Sequence, residues 1–507
     1  MKKALKVITA AALAATVVTA DAQAYLWGDY SDGRKVEEHT QLEITEKYIS
    51  LNLNEDWNIE YDKEPSITTP YSPGSLSQKT LQQALDMTNF VRYTAGLPEV
   101  EFDDDYNYLA QCASLVNAAN DRMSHYPDKP DGIDDELYEA GRIGASTSNL
   151  GCGYKSIPKS IKEYMNDHTE SSVGHRRWIL YPGLGKVGFG YAGDQTAMHV
   201  IDFDFNTNYS VDYVTWPPKN MPMELYRSYG GMISLFEINS YPFSVSFDSS
   251  YDISSLYDAV VHVKCETDGR EWTISQDQQS DETSFHVSTE GYGAPACIIF
   301  RMVGGFDSGD KVNINITGLT KNGMPADIDY EVNFFTMLTD IDDCTVSPLK
   351  TLTYTGKALK PEPVIKYNGK ELVPDIDYTL EYENNKKPGK AKIVITGKGK
   401  YTGSIETYFF IKPKKQKIRS ITSSNSNFTV KWTKQPEDVG YEVQYSTKSS
   451  MKGAESRSFS GIIYDQSIWA EKGKKYYVRV RSFIYSNGYY GEKIYGAWSK
   501  IKTVYVK

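Results

Sequence analysis

The apolar period of this chain changes once, and that change limits the fold more than any other feature. Between about 80 and 180 apolar residues recur at helical spacing. From about 186 onward they alternate in short runs between turn residues. Leu81, Leu85, Thr88 and Val91 follow a Thr80/Gln83 capping box, and Gly96 and Pro98 stop this helix. Asp103, Asp104 and Asp105 suit the positive end of a second helix. Its apolar face is Leu109, Cys112, Ala113, Val116 and Ala119, and it is predicted to end close to His125. Pro158 opens a third helix through Ile161, Tyr164 and Met165. A short fourth spans Val173 to Leu180 and stops at Pro182. Lys186 to Tyr191 reads as a strand, Ala192 to Gln195 as its turn, and Thr196 to Phe203 as the returning strand. Helices followed by a hairpin predict an α+β domain over 79–205.

The segments on either side read differently. Residues 25–78 form an arm and linker, with 25–64 as strands or a loose arm, on patches such as Tyr48 to Leu53. Residues 206–343, 344–413 and 416–507 read as three β-rich modules of the sandwich type.

Residues 1–24 read as an export signal. Lys2, Lys3 and Lys6 precede the apolar run Val7 to Ala20, and Ala22-Gln23-Ala24 is a small-x-small cleavage site. No cysteine at the cut suggests a lipid anchor, no later stretch reaches transmembrane length, and Thr503 to Lys507 is no wall-sorting tail. The expected location is outside the cell, secreted or held at the surface non-covalently.

Charge divides the chain. Residues 344–507 hold 30 Lys and Arg against 14 Asp and Glu, a net +16 inside a chain of net −11. That basic region suits an anionic cell-wall polymer or two lysine-rich solvated sheets. No nucleic-acid motif is present. The five cysteines leave two readings: pairs such as Cys112 with Cys152 and Cys265 with Cys297, or five small buried hydrophobes.

Of seven histidines, His125, His168, His175 and His199 fall in the α+β domain. His125 follows the second helix, and Asp167 ends the third, eight residues before His175. Two imidazoles and a carboxylate at helix ends suit a divalent cation such as zinc, or acid/base work. Trp178 and Ile179 continue an apolar helix side and read as core. Arg176 and Arg177 read as surface or cleft-rim charges, His168 as pointing away and His199 as structural.

Residues 79–205 resemble a CAP domain, the domain of cysteine-rich secretory proteins, antigen 5 and pathogenesis-related proteins, also called the SCP domain. The resemblance rests on an ordered set: Leu85 to Arg92 with Gly96-Leu97, Leu109-Ala110, Arg122-Met123-Ser124-His125, Ser148-Asn149-Leu150-Gly151, Tyr164 to Asp167, Gly174 to Leu180 with Pro182, and Val187 to Gly190. It implies an α/β/α sandwich around a central antiparallel sheet, and a cleft with two histidines and two acidic residues. His125 and His175 match the histidines. Asp167 stands three after Tyr164, where the family has glutamate three after tryptophan. Ser148 replaces glutamate in the Glu-Asn step, beside Asn149. The implied cleft is therefore His125, Ser148, Asn149, Asp167 and His175, and the implied metal set is His125, Asp167 and His175.

Two further resemblances cover the C-terminal modules. Residues 344–413 are similar to a bacterial immunoglobulin-like repeat through Tyr354 to Lys357, Asp377 to Leu380 and Gly397 to Gly403. Residues 416–507 are similar to a fibronectin type III domain, with Trp432 in the core and Tyr476 or Tyr477 as a tyrosine corner.

These readings lead first to an exported binding or adhesion protein that presents a cleft to a lipid, glycan, ion or protein. A metal-assisted hydrolase using His125, Asp167 and His175 is the second class. It lacks the HExxH and GxSxG motifs. A purely structural surface adhesin is the third.

Overall fold

The computed structural model describes residues 35–53, 57–168, 171–202, 209–226, 241–435, 439–487 and 491–507. Residues 1–24, expected to be an export signal, lie outside them. The chain divides into two compact units, one ending at Met337 and the other spanning Leu338–Lys507.

The first unit opens with helix α1, Gln41–Ser50. Sequence alternation at Tyr48 to Leu53 suggested strands. A complete capping box overrides it: Thr40 accepts from the Glu43 N–H, and Glu43 accepts from the Thr40 N–H at 2.8 Å. Tyr48 packs edge-on against Phe90, and His39 stacks on Tyr93 at 3.7 Å. The arm therefore completes the core. A hairpin of β1 (Tyr61–Lys63) and β2 (Ser75–Leu76) follows.

Helix α2 spans Gln78–Thr94 and is capped by Ser77, three residues before the expected cap. Thr80 is buried and donates to the Glu60 carbonyl. After β3 (Glu101–Phe102) comes α3, Asp104–Ala119, capped by Asp103. It stops short of His125, because Asp121 turns to φ 48° and the Asn117 side chain accepts from the Ser124 N–H. Helix α4, Asp135–Ser146, was not anticipated. Then come β4 (Ser148–Cys152), α5 (Ile157–Asn166), α6 (Gly174–Ile179), β5 (Lys186–Ala192) and β6 (Gln195–His199).

The sheet order is β3-β5-β6-β4, antiparallel except that β3 runs parallel to β5. Helices α3 and α4 cover one face. Helices α5 and α6 lie on the other, with α2 against α5. This is the expected α/β/α sandwich.

Nine strands build a two-sheet sandwich behind it: β7 (Tyr213–Trp216), β8 (Asn220–Pro222), β9 (Phe243–Phe247), β10 (Val260–Cys265), β11 (Glu271–Ile274), β12 (Thr283–Ser288), β13 (Ala296–Met302), β14 (Lys311–Thr317) and, after a short hairpin of β15 (Thr320–Lys321) and β16 (Met324–Pro325), β17 (Ile328–Phe335). One sheet is ordered β11-β10-β14-β17-β8 and the other β12-β13-β9-β7. Alternation is regular: Val261, Val263 and Cys265 are buried while His262 and Lys264 are exposed.

The second unit holds two β modules. In the first, Leu352–Thr353, Ser404–Lys412, Gly389–Gly397 and Tyr378–Glu383 form one sheet, and a smaller sheet supplies Ile365 to a shared core with Ile393 and Phe409. In the last, three strands (Ile418–Ser424, Asn427–Trp432, Asp465–Trp469) share a core with the sheet built on Gly440–Ser446 and Lys475–Tyr485. Trp432 is buried, as expected, and the Tyr476 hydroxyl accepts from the Glu471 N–H at 3.1 Å. Tyr476, not Tyr477, is the corner tyrosine.

All five cysteines are free. Cys112, Cys265 and Cys297 are buried, Cys344 is partly buried and Cys152 is exposed. The pairs do not form, and three of the five fit the reading as small buried hydrophobes.

Candidate functional site

Helix α5 ends where Asp167 adopts the left-handed conformation, φ 46°, ψ 35°. That turn directs its carboxylate toward the start of α6. His175 Nδ1 meets Asp167 Oδ1 at 2.8 Å, and the Arg176 backbone N–H donates to Oδ2 at 3.3 Å. The Asp167 side chain is 2% exposed and that of His175 is 25% exposed. The pair is a buried acceptor holding a half-buried ring. The imidazole stacks on Tyr164, with centroids 5.4 Å apart. Tyr164 is fully buried, its hydroxyl reaches the Asn149 carbonyl and Thr196 Oγ1, and burial pushes its pKa well up. Asn149 Nδ2 donates to the His175 carbonyl at 2.9 Å. Asn149, Asp167 and His175 are thus one hydrogen-bonded group.

Ser148 and His125 are not part of it. Neighbouring strand residues point to opposite faces, so Ser148 faces the α3 side, across the ladder from His199. Its Oγ is buried without a hydrogen-bond partner. His125 sits on the exposed loop after α3, and its Nδ1 lies 2.8 Å from the Ala145 carbonyl at the end of α4. Among the described residues no three His, Cys, Asp or Glu side chains gather as metal ligands. The expected set of His125, Asp167 and His175 is corrected accordingly: the residues present do not fit a preformed zinc site. Two concavities of about 540 Å³ and about 340 Å³ lie elsewhere in this unit, and neither is lined by these residues.

His199 is structural, as expected. It is buried between Thr147 Oγ1 (3.0 Å) and the Ile201 carbonyl (2.8 Å) and stacks on Tyr106. Burial lowers its pKa to about 4. The unfolded chain binds this proton near pH 6.5 and the folded chain only near 4. Stability is therefore expected to be unaffected by this group above about pH 6.5 and to fall as pH drops from there toward 4. Urea midpoints across that window, beside His199→Gln, measure it, and a wild-type slope equal to the variant's contradicts it.

The largest departure is at Arg176 and Arg177, expected at the surface and found 0% and 2% exposed. Arg177 reaches Ser288 Oγ at 2.8 Å and the Ala294 carbonyl at 2.9 Å, and its guanidinium lies 5.4 Å from the Tyr292 ring. Gly174 also meets Tyr292, where a Cβ would come within 3.2 Å of the ring. Trp178 and Ile179 are core, as expected.

Residues 85–209 match the CAP model, described as the cysteine-rich secretory protein family. The CAP domain accounts for the first layer of the N-terminal unit, and the match begins within α2. No curated protein matches the chain. Among solved structures it is similar to the FN1-FN3 domains of chicken CNTN1, at 10% identity and TM-score 0.18, covering 52% of this chain and 94% of that one. A cytokine receptor complex gives 10% identity and TM-score 0.17, covering 52% and 90%. Pectate lyase Pel3 from Pectobacterium carotovorum gives 13% and 0.15, covering 18% and 26%. Scores of this size carry no functional meaning.

Proposed function

We propose that this is an exported binding protein whose CAP domain contacts its ligand through His175. One observation supports the reading above others: the 2.8 Å bond from His175 Nδ1 to a buried Asp167, with the imidazole part-exposed. A carboxylate on Nδ1 selects one tautomer and makes Nε2 the acceptor edge. Such a ring accepts a hydrogen bond from a ligand hydroxyl or amide without a metal. The 344–413 and 416–507 modules, of immunoglobulin-like and fibronectin type III kind, display this domain. The net +16 of residues 344–507 suits anionic envelope polymer.

Retention of the full chain on isolated cell walls and on envelope lipid extracts tests both parts. Wall retention is expected to fall steeply with added salt. His175→Ala and Asp167→Asn are each expected to weaken retention of the CAP ligand about tenfold, equivalent to about 1.4 kcal/mol. Unchanged retention in both variants overturns the role of the pair, and salt-independent wall retention overturns the role of the basic unit.

The same pair favours a second reading. A histidine oriented by an aspartate is a general base, so hydrolysis by His175 with Asp167 requires no metal. It predicts that activity on a cleaved envelope substrate is lost in His175→Ala and kept in His125→Ala. Activity that survives His175→Ala excludes it.

A further inference from the structure

Both members of the pair lie between residues 165 and 177, and several contacts of the described residues there come from the β7–β17 sandwich side. Val173, a β-branched residue, is held at φ 45°, a conformation that strains it. Its side chain is buried against Cys297 and Ile299 of β13. The Arg301 guanidinium donates to the His168 carbonyl at 2.9 Å.

Arg176 spans the gap directly. Its Nε donates to the Met165 carbonyl at 2.7 Å and its Nη2 to the Asn166 carbonyl at 2.8 Å. These carbonyls end α5, immediately before Asp167. Its Nη1 donates to the Pro242 carbonyl at 2.7 Å and to Ser244 Oγ, on β9, at 3.1 Å. A cation at a helix C-terminus is well placed against the dipole. A planar fork reaches four acceptors in two directions at once, and a lysine ammonium does not. Tyr241 closes the arrangement, lying 5.2 Å from the guanidinium and donating to the Met165 carbonyl.

We propose that Arg176 is the positioning residue of the Asp167–His175 pair, and that through it the sandwich sets the pair's geometry. The CAP site is then a two-layer construction. The sheet and helices supply the imidazole and carboxylate, while β9 and β13 hold the turn that brings them together. This deepens the ligand reading above. It is tested in ligand-free protein, so the two fail separately.

The readout is the His175 Nδ1–H proton resonance of the full chain, selectively labelled at histidine and assigned by its loss in His175→Gln. A proton shared with a carboxylate resonates far downfield. Asp167→Asn is the control that removes the acceptor charge and shifts the signal. Arg176→Gln is expected to shift or erase it while the His199 resonances, held by Thr147 and Ile201, stay in place. Arg176→Lys is expected not to restore it. A folded Arg176→Gln protein with an unchanged His175 signal overturns the proposal, because a purely stabilising arginine leaves the pair intact. Should Arg176→Gln fail to fold, Ser244→Ala carries the test by deleting only a sandwich-side hydroxyl. A displaced signal supports the proposal and an unmoved one overturns it.

Discussion

Gly190→Val is expected to destabilise the N-terminal unit strongly and to leave the unfolding of residues 338–507 unchanged. A Cβ at Gly190 would lie 2.2 Å from the Ala110 backbone, and one at Gly188 would lie 2.2 Å from the Tyr106 backbone. Two steps along a strand advance about 6.6 Å and four steps along a helix about 6 Å. The two bare strand positions on β5 therefore register with two successive turns of α3. Backbone lies on both sides of each contact, so no side chain can move aside. The cost is expected to be about 3 kcal/mol or more, at the upper end for overpacking. That is a large fraction of the ~5–15 kcal/mol stability of a typical domain. Urea unfolding followed by tryptophan fluorescence, with residues 338–507 as the internal reference, measures it. An unshifted first transition contradicts the prediction.

Arg92→Met is expected to have an effect of similar size for the opposite reason, since it removes atoms. Arg92 is 0% exposed, and burial pushes its pKa down to about 9, so it stays charged at neutral pH. Its Nε donates to the Pro98 carbonyl, Nη1 to the Ile179 and Tyr181 carbonyls and Nη2 to the Leu184 carbonyl. Each buried carbonyl left without a donor costs about 1–3 kcal/mol, so a loss of about 4 kcal/mol or more is expected. Arg92→Lys should recover little of it, because one ammonium cannot reach carbonyls at both ends of the loop after α6. A urea midpoint within error of wild type for either variant refutes this account.

Much of the CAP layer was legible because its determinants are local. The Asp103 cap, the Pro158 start, the stop at Gly96 and the turn at Gly193 each act within a few residues. Helix α4 is interrupted in sequence by Gly141 and Gly144, poor helix formers. Their smallness serves packing: a Cβ on Gly144 would lie 2.0 Å from the Leu109 carbonyl of α3. The Asp134-Asp135-Glu136 run, with Asp134 as cap, was the available signal. The same applies to Thr40 and Glu43 at α1. The candidate site was legible in part. Asp167 and His175 do meet. His125 does not join them, because α3 ends six residues earlier and the following loop hands its ring to α4.

By itself the sequence determined most elements of the CAP layer and the change from helical to alternating period, and it placed a helix-ending aspartate eight residues before a histidine. Only the tertiary structure decided what the two arginines after that histidine do. In sequence they are charges on a short helix, and an isolated charge belongs in water. Some of their acceptors are nearby, at Met165 and Asn166, but the others come from strands and loops 66 to 117 residues downstream. A guanidinium can be buried only when several oxygens converge on it, and no local pattern records that convergence.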